Sequence, residues 1–137
     1  MAGLTPTRTN DLPVEDFRWL ADYTGMEEAE SATGYAASFR PMGGHRLQNW
    51  IRSGTPVGKI TTEGPTKGQW GLYDPAATDG RQKHLGFIKA EVQFIDPVTG
   101  IENAPLSFAV IRFGQINVNL LPVDFDPADG DVHFIYR

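Results

Sequence analysis

The side chains that could do chemistry in this chain are few and stand far apart. Its three histidines, His45, His84 and His133, have no partner at the i,i+2 or i,i+4 spacing that sets two ring nitrogens on one metal ion, so no local zinc signature exists. Cysteine is absent, which removes thiolate ligands, cysteine nucleophiles and disulfide frameworks together. Ser31, Ser38, Ser53 and Ser107 lack the G-x-S-x-G setting of a nucleophile elbow. The carboxylate pairs Glu15/Asp16 and Glu27/Glu28 are immediate neighbours, and adjacent residues on a helix project in different directions rather than converging on one proton.

Two runs imitate ligand loops without completing them. Residues 54–61 (GTPVGKIT) have the flavour of a phosphate loop, but Ser53 stands at the first glycine position, Ile60 occupies the place of the magnesium-binding hydroxyl, and no helix is predicted to follow. Asp124, Asp126, Asp129 and Asp131 crowd like a calcium loop. In an EF-hand register from Asp124, however, Ala128 fills a ligand position and Asp129 replaces the required glycine. A solvated acidic turn is the simpler reading, with an irregular calcium site left open beside it. Trp19, Trp50 and Trp70, together with Tyr73, could stack on sugars or bases, although core and interface packing is the commoner use of such rings. The expectation is therefore no catalytic residue, no metal ligand and no cofactor: a chain that is not an enzyme.

The elements that must carry these residues read as mainly β. With 137 residues, a single domain is the default. Residues 1–10 are small, polar and rich in Thr and Pro, and read as a flexible arm. Residues 11–23 predict a short helix: Asp11 as N-cap, Pro13 in the first turn, and Val14, Phe17, Leu20 and Ala21 on one apolar face. Residues 27–33 read as a linker. Alternation predicts a strand over 86–95, with Ile88, Ala90, Val92 and Phe94 inward, and another over 106–113. Gly114-Gln115 is placed to turn a hairpin into a strand over 116–121, and residues 132–136 alternate as a last strand. The predicted fold is thus a β-rich single domain, a compact barrel-like or sandwich sheet, with a short N-terminal helix and a flexible arm. Its expected division is residues 1–34 as arm and 35–137 as β-rich body.

Charge narrows the partners. Twelve basic against 17 acidic residues give a net charge of −5, with no Lys/Arg run to follow a phosphate backbone, so no nucleic-acid partner is expected. No apolar stretch approaches the roughly 20 residues that cross a bilayer, so no membrane partner is expected either.

Residues 53–88 carry a resemblance. Gly54, Thr55 and Gly58, with Pro56 between them, followed by Tyr73, Asp74, Pro75, Ala76, Ala77, Asp79, Gly80 and Gly86, are similar to the pattern of the lambdoid bacteriophage head decoration family. A later stretch, residues 110–122 (VIRFGQINVNLLP), is similar to that family's second element. The resemblance implies a capsid decoration (cement) protein, a β-rich homotrimer at threefold positions on the outer surface of an expanded phage head, with the major capsid protein as partner. It also implies an N-terminal arm that reaches the shell, which makes Thr5, Thr7, Val14, Phe17 and Leu20 the candidate capsid contacts. The motif residues themselves have turn chemistry: Asp caps local N–H groups and Gly80 is free to take positive φ. The alternative expectation is another virion subunit, from head completion, tail or baseplate, with a carbohydrate-binding face on Trp50, Trp70 and Tyr73.

Overall fold

The computed structural model describes residues 16–22 and 25–137, and the fold is mainly β. Five strands, β1 (Glu30–Gly34), β4 (Pro56–Lys59), β5 (Trp70–Leu72), β6 (Gly86–Ile88) and β8 (Leu106–Ile111), close into a barrel in the order β1-β5-β4-β6-β8. Closure leaves these strands without the free edge that invites unwanted pairing. The longest ladder is antiparallel, β1 on β8 from Glu30↔Val110 to Gly34↔Leu106. The parallel contact of β1 with β5 is a single pair, Gly34↔Trp70, supported by the Tyr35 N–H donating to the Trp70 carbonyl at 2.7 Å.

Two small sheets flank the barrel. β2 (Arg46–Leu47), β3 (Trp50–Ile51) and β7 (Val92–Gln93) pair antiparallel, while β9 (Gly114–Ile116) and β10 (Phe134–Tyr136) run parallel. A single helical turn, α1 (Ala36–Phe39), follows β1 and buries Phe39.

The two-residue period of a strand explains why there are two cores. Ile88 and Val110 are cross-strand partners pointing into the barrel, and so the next pair, Phe87↔Ile111, must point out of it. The first pair joins Phe39, Ile51, Val57, Trp70, Phe94 and Leu106 in the barrel core. The second pair is buried just as fully, because Trp19, Leu20, Ile116, Phe125 and Phe134 cover it from outside. Strands apolar on both faces are what such double burial requires.

The two cores correct several expectations. Within the described part of residues 11–23 there is no helix: Arg18 and Trp19 form a turn and Leu20 bridges to Ile116. The main chain is committed sideways, with the Ala21 N–H donating to the Gln115 carbonyl and the Trp19 carbonyl accepting from the Asn117 N–H. Tertiary pairing outweighs the local helix signal. Residues 27–33 are not a linker, since β1 is a barrel strand, so the expected division between 34 and 35 is corrected to place Glu30–Gly34 with the body. The strand expected over 86–95 is two strands, β6 in the barrel and β7 in the flanking sheet. The hairpin at Gly114-Gln115 is absent: β9 leaves β8 and pairs with β10, and Val118–Leu120 is a 3-10 turn.

Candidate functional site

The resemblance motif folds into one loop bound to the barrel wall. The Tyr73 N–H donates to the Pro56 carbonyl at 3.0 Å, and at the far end the Leu85 N–H donates to the Val57 carbonyl at 3.0 Å. Between them the loop braces itself. The Asp74 carboxylate accepts the Ala76 N–H at 2.9 Å, and the Asp79 carboxylate accepts both the N–H and the guanidinium of Arg81. Partial burial works to raise the Asp79 pKa, but these Arg81 contacts outweigh it and hold the carboxyl below its usual range. The Asp79 carbonyl takes the N–H groups of Thr61 and Thr62, which ties the loop to the chain beyond β4. Gly80 has φ +118°, and a Cβ there would strike the Lys59 carbonyl. Only glycine fits that close approach.

Other motif residues lie elsewhere than expected. Pro56 and Gly58 are inside β4 and Gly86 opens β6, so they are strand residues rather than turn formers. Pro75 is exposed on the loop. Gly54 is a turn residue, at φ +88°, and the Trp19 indole lies where its side chain would be, 2.9 Å from an ideal Cβ. The Trp19 indole N–H donates to the Ser53 hydroxyl at 2.9 Å, and that hydroxyl donates onward to the Lys89 carbonyl at 2.7 Å. The 53–55 turn is thus the socket of the N-terminal segment.

Of the candidate capsid contacts, Thr5, Thr7 and Val14 lie outside the described residues. Leu20 is corrected: it is 6% exposed and belongs to the outer core. Phe17 is half-buried against the same cluster. Both side chains are engaged within their own chain, because the outer faces of Phe87 and Ile111 need cover.

His84 is the buried polar centre of the outer core. Its ring lies among Phe87, Phe125, Tyr73 and Phe134, with centroids 4.6 to 5.8 Å away. Its Nδ1 accepts the Asp131 N–H at 2.9 Å, so the ring is the neutral tautomer with its proton on Nε2. Burial holds the imidazole down to about 4, against the opposing pull of a Gly86 backbone contact and the Asp131 charge. Tyr136 donates its hydroxyl to the Asp131 carbonyl at 2.9 Å, and burial first, then Asp131, pushes its phenol up. Asp131 is therefore fastened at both its N–H and its carbonyl. The histidine was visible in the sequence only as a lone residue. Its partner stands 47 positions away.

The C-terminal segment and the motif loop enclose a groove of about 730 Å³. Leu72, Tyr73, Leu121, Val123 and Phe125 give it apolar walls, and Asp124, Asp126 and Asp129 stand on its rim. The Asp126 carboxylate accepts the Ala128 N–H at 2.9 Å and caps the 3-10 turn Pro127–Asp129. Among the described residues no three His, Asp or Glu side chains converge as a metal site would need. Residues 54–61 run from a turn into β4, with the Thr55 hydroxyl donating to the Arg52 carbonyl and the Lys59 ammonium over the Trp70 ring. The stacking platform of Trp50, Trp70 and Tyr73 is corrected as well: Trp70 is 2% exposed and packs in the barrel core. Tyr73 packs against the outer core instead.

Compared with family models, with curated proteins and with solved structures, the chain matches none.

Proposed function

We propose that this chain is a capsid decoration protein that trimerises at threefold positions on the outside of an expanded bacteriophage head, contacts the major capsid protein and holds the shell without catalysing a reaction. The observation that carries the reading is the motif of Gly54, Thr55 and Gly58 with Tyr73-Asp74-Pro75-Ala76-Ala77, Asp79, Gly80 and Gly86, which resembles that family. Its residues are spent on architecture, as a cement subunit would need: Asp74 and Asp79 cap their own loop and Gly80 seats it on the barrel wall. The closed barrel and two apolar cores make a rigid block rather than a hinged one. A trimer that binds only the expanded lattice stabilises it by linkage, and three contacts acting together raise the avidity of each trimer. The sugar-binding alternative loses its proposed platform with the burial of Trp70.

Negative-stain imaging of expanded heads mixed with the protein tests this directly. The expected result is added density at every threefold position. Bare heads at saturating protein, or density at a portal or tail, would move the chain to another class.

A further inference from the structure

We propose that the groove between the motif loop and the C-terminal segment is a docking site for an extended cationic peptide segment of a protein partner. The groove is built from stretches remote in sequence, Pro56, the end of β5 with the start of the motif loop after it, and residues 118–129, and these bring an apolar trough and a charged rim together. Leu72, Leu121, Val123 and Phe125 can receive aliphatic stems or an apolar residue. The rim is of one sign. Asp124 and Asp129 are exposed, and among the described residues their carboxylates make no hydrogen bond or ion pair and no Lys, Arg or His lines the groove. Tyr73, which sits at its edge, feels this field: after burial, the charges of Asp129, Asp126 and Asp74 are what push its phenol up. Exposed carboxylates over an apolar floor fit a chain in which Lys or Arg alternates with apolar residues, because the stems pack while the charged heads meet the rim. An acidic or neutral peptide would leave the carboxylates uncompensated. None of the candidate shell contacts lines this groove among the described residues, so the inference goes beyond the shell-binding reading and does not need it.

The probe is a fluorescein-labelled peptide of alternating arginine and leucine, measured by anisotropy against the full chain, beside a peptide with glutamate in place of arginine. The cationic peptide is expected to bind and the acidic one not to, with affinity falling as ionic strength rises. The double variant Asp124→Asn/Asp129→Asn removes two rim charges while keeping the Asp126 cap, and is expected to weaken binding roughly tenfold. The control Glu28→Gln/Glu63→Gln removes the same net charge from exposed positions away from the groove, and is expected to change binding less than about twofold. A third variant, Leu121→Asn, tests the floor and is expected to weaken binding at unchanged charge. Absence of binding, equal binding of the acidic peptide, or equal losses in the rim and control variants would overturn the proposal.

Discussion

At neutral pH His84 holds the Asp131 N–H because its imidazole is uncharged, and this gives one residue its own pH window. Its pKa is about 4 in the folded chain against 6.5 for a free histidine, so the unfolded state binds the proton more tightly. The stability linked to His84 is therefore complete above about 6.5 and is lost as pH falls from there toward about 4, a total on the order of 3 kcal/mol. His45 is held down too, by burial first, and adds in the same direction. Carboxylates such as Asp79, whose pKa is lowered, act below that window, with stability present above the ordinary carboxylate range and lost as pH falls through it. The variant His84→Asn keeps an acceptor near the Asp131 N–H but does not titrate. Urea midpoints are expected to show it less stable at pH 7 by about 2 kcal/mol, through lost aromatic packing, with a shallower decline between about pH 6.5 and 4. An unchanged slope would assign the window to other groups. The sequence showed this histidine to be without a local partner, but its burial depends on Phe125 and Phe134, which only the fold brings to it.

The elements were legible where one face decides and obscure where two faces are buried. In β8 the apolar residues alternate, with Leu106, Phe108 and Val110 inward, so period two was visible. β1 was hidden because its inward residues, Ala32 and Gly34, are small and its composition resembles a linker. The run over 86–95 reads as one strand by alternation, yet after the Lys89 N–H, which still donates to the Ala109 carbonyl of β8, the chain leaves the barrel: the Lys89 carbonyl accepts the Ser53 hydroxyl and the Glu91 carboxylate accepts the Ser53 N–H at 2.5 Å. Such partners are invisible to periodicity. Of the stripe, Leu20 is buried and Phe17 half-buried but Ala21 is exposed, while Trp19, off the predicted face, is buried beside Leu20: a burial signal partly right and attached to the wrong element. That distinction has a measurable consequence. Deleting residues 1–15 leaves Trp19 and Leu20 in place and is expected to leave the thermal midpoint within a few degrees, whereas deleting 1–22 uncovers Phe87 and Ile111 and is expected to cost more than about 3 kcal/mol. Equal midpoints for the two truncations would show that the outer core does not need its Trp19 cover.

For the whole molecule, the sequence made the β class readable through its turn residues and alternation, while the choice between a barrel-like and a sandwich sheet stayed open because closure depends on a single β1–β5 pair and on β8 serving two neighbours. A closed barrel with a second core packed on its wall has little freedom to deform, so binding energy at its surface goes into the partner rather than into rearranging the subunit. If the partner is an expanded shell, each occupied site stabilises the shell by RT ln(1 + [L]/Kd), about 2.7 kcal/mol at a hundredfold excess over Kd, and the sum over a lattice is large even when one contact is weak. Heads incubated with the intact chain are therefore expected to retain their DNA to a higher temperature, with the gain rising with protein concentration and levelling at saturation. The form lacking residues 1–15, folded by its own melting curve, is expected to give no protection, because the contact assigned to the arm is gone. Protection by this truncated form equal to that of the intact chain would transfer shell binding from the arm to the barrel body, and DNA retention unchanged by the intact chain would remove the cement role itself.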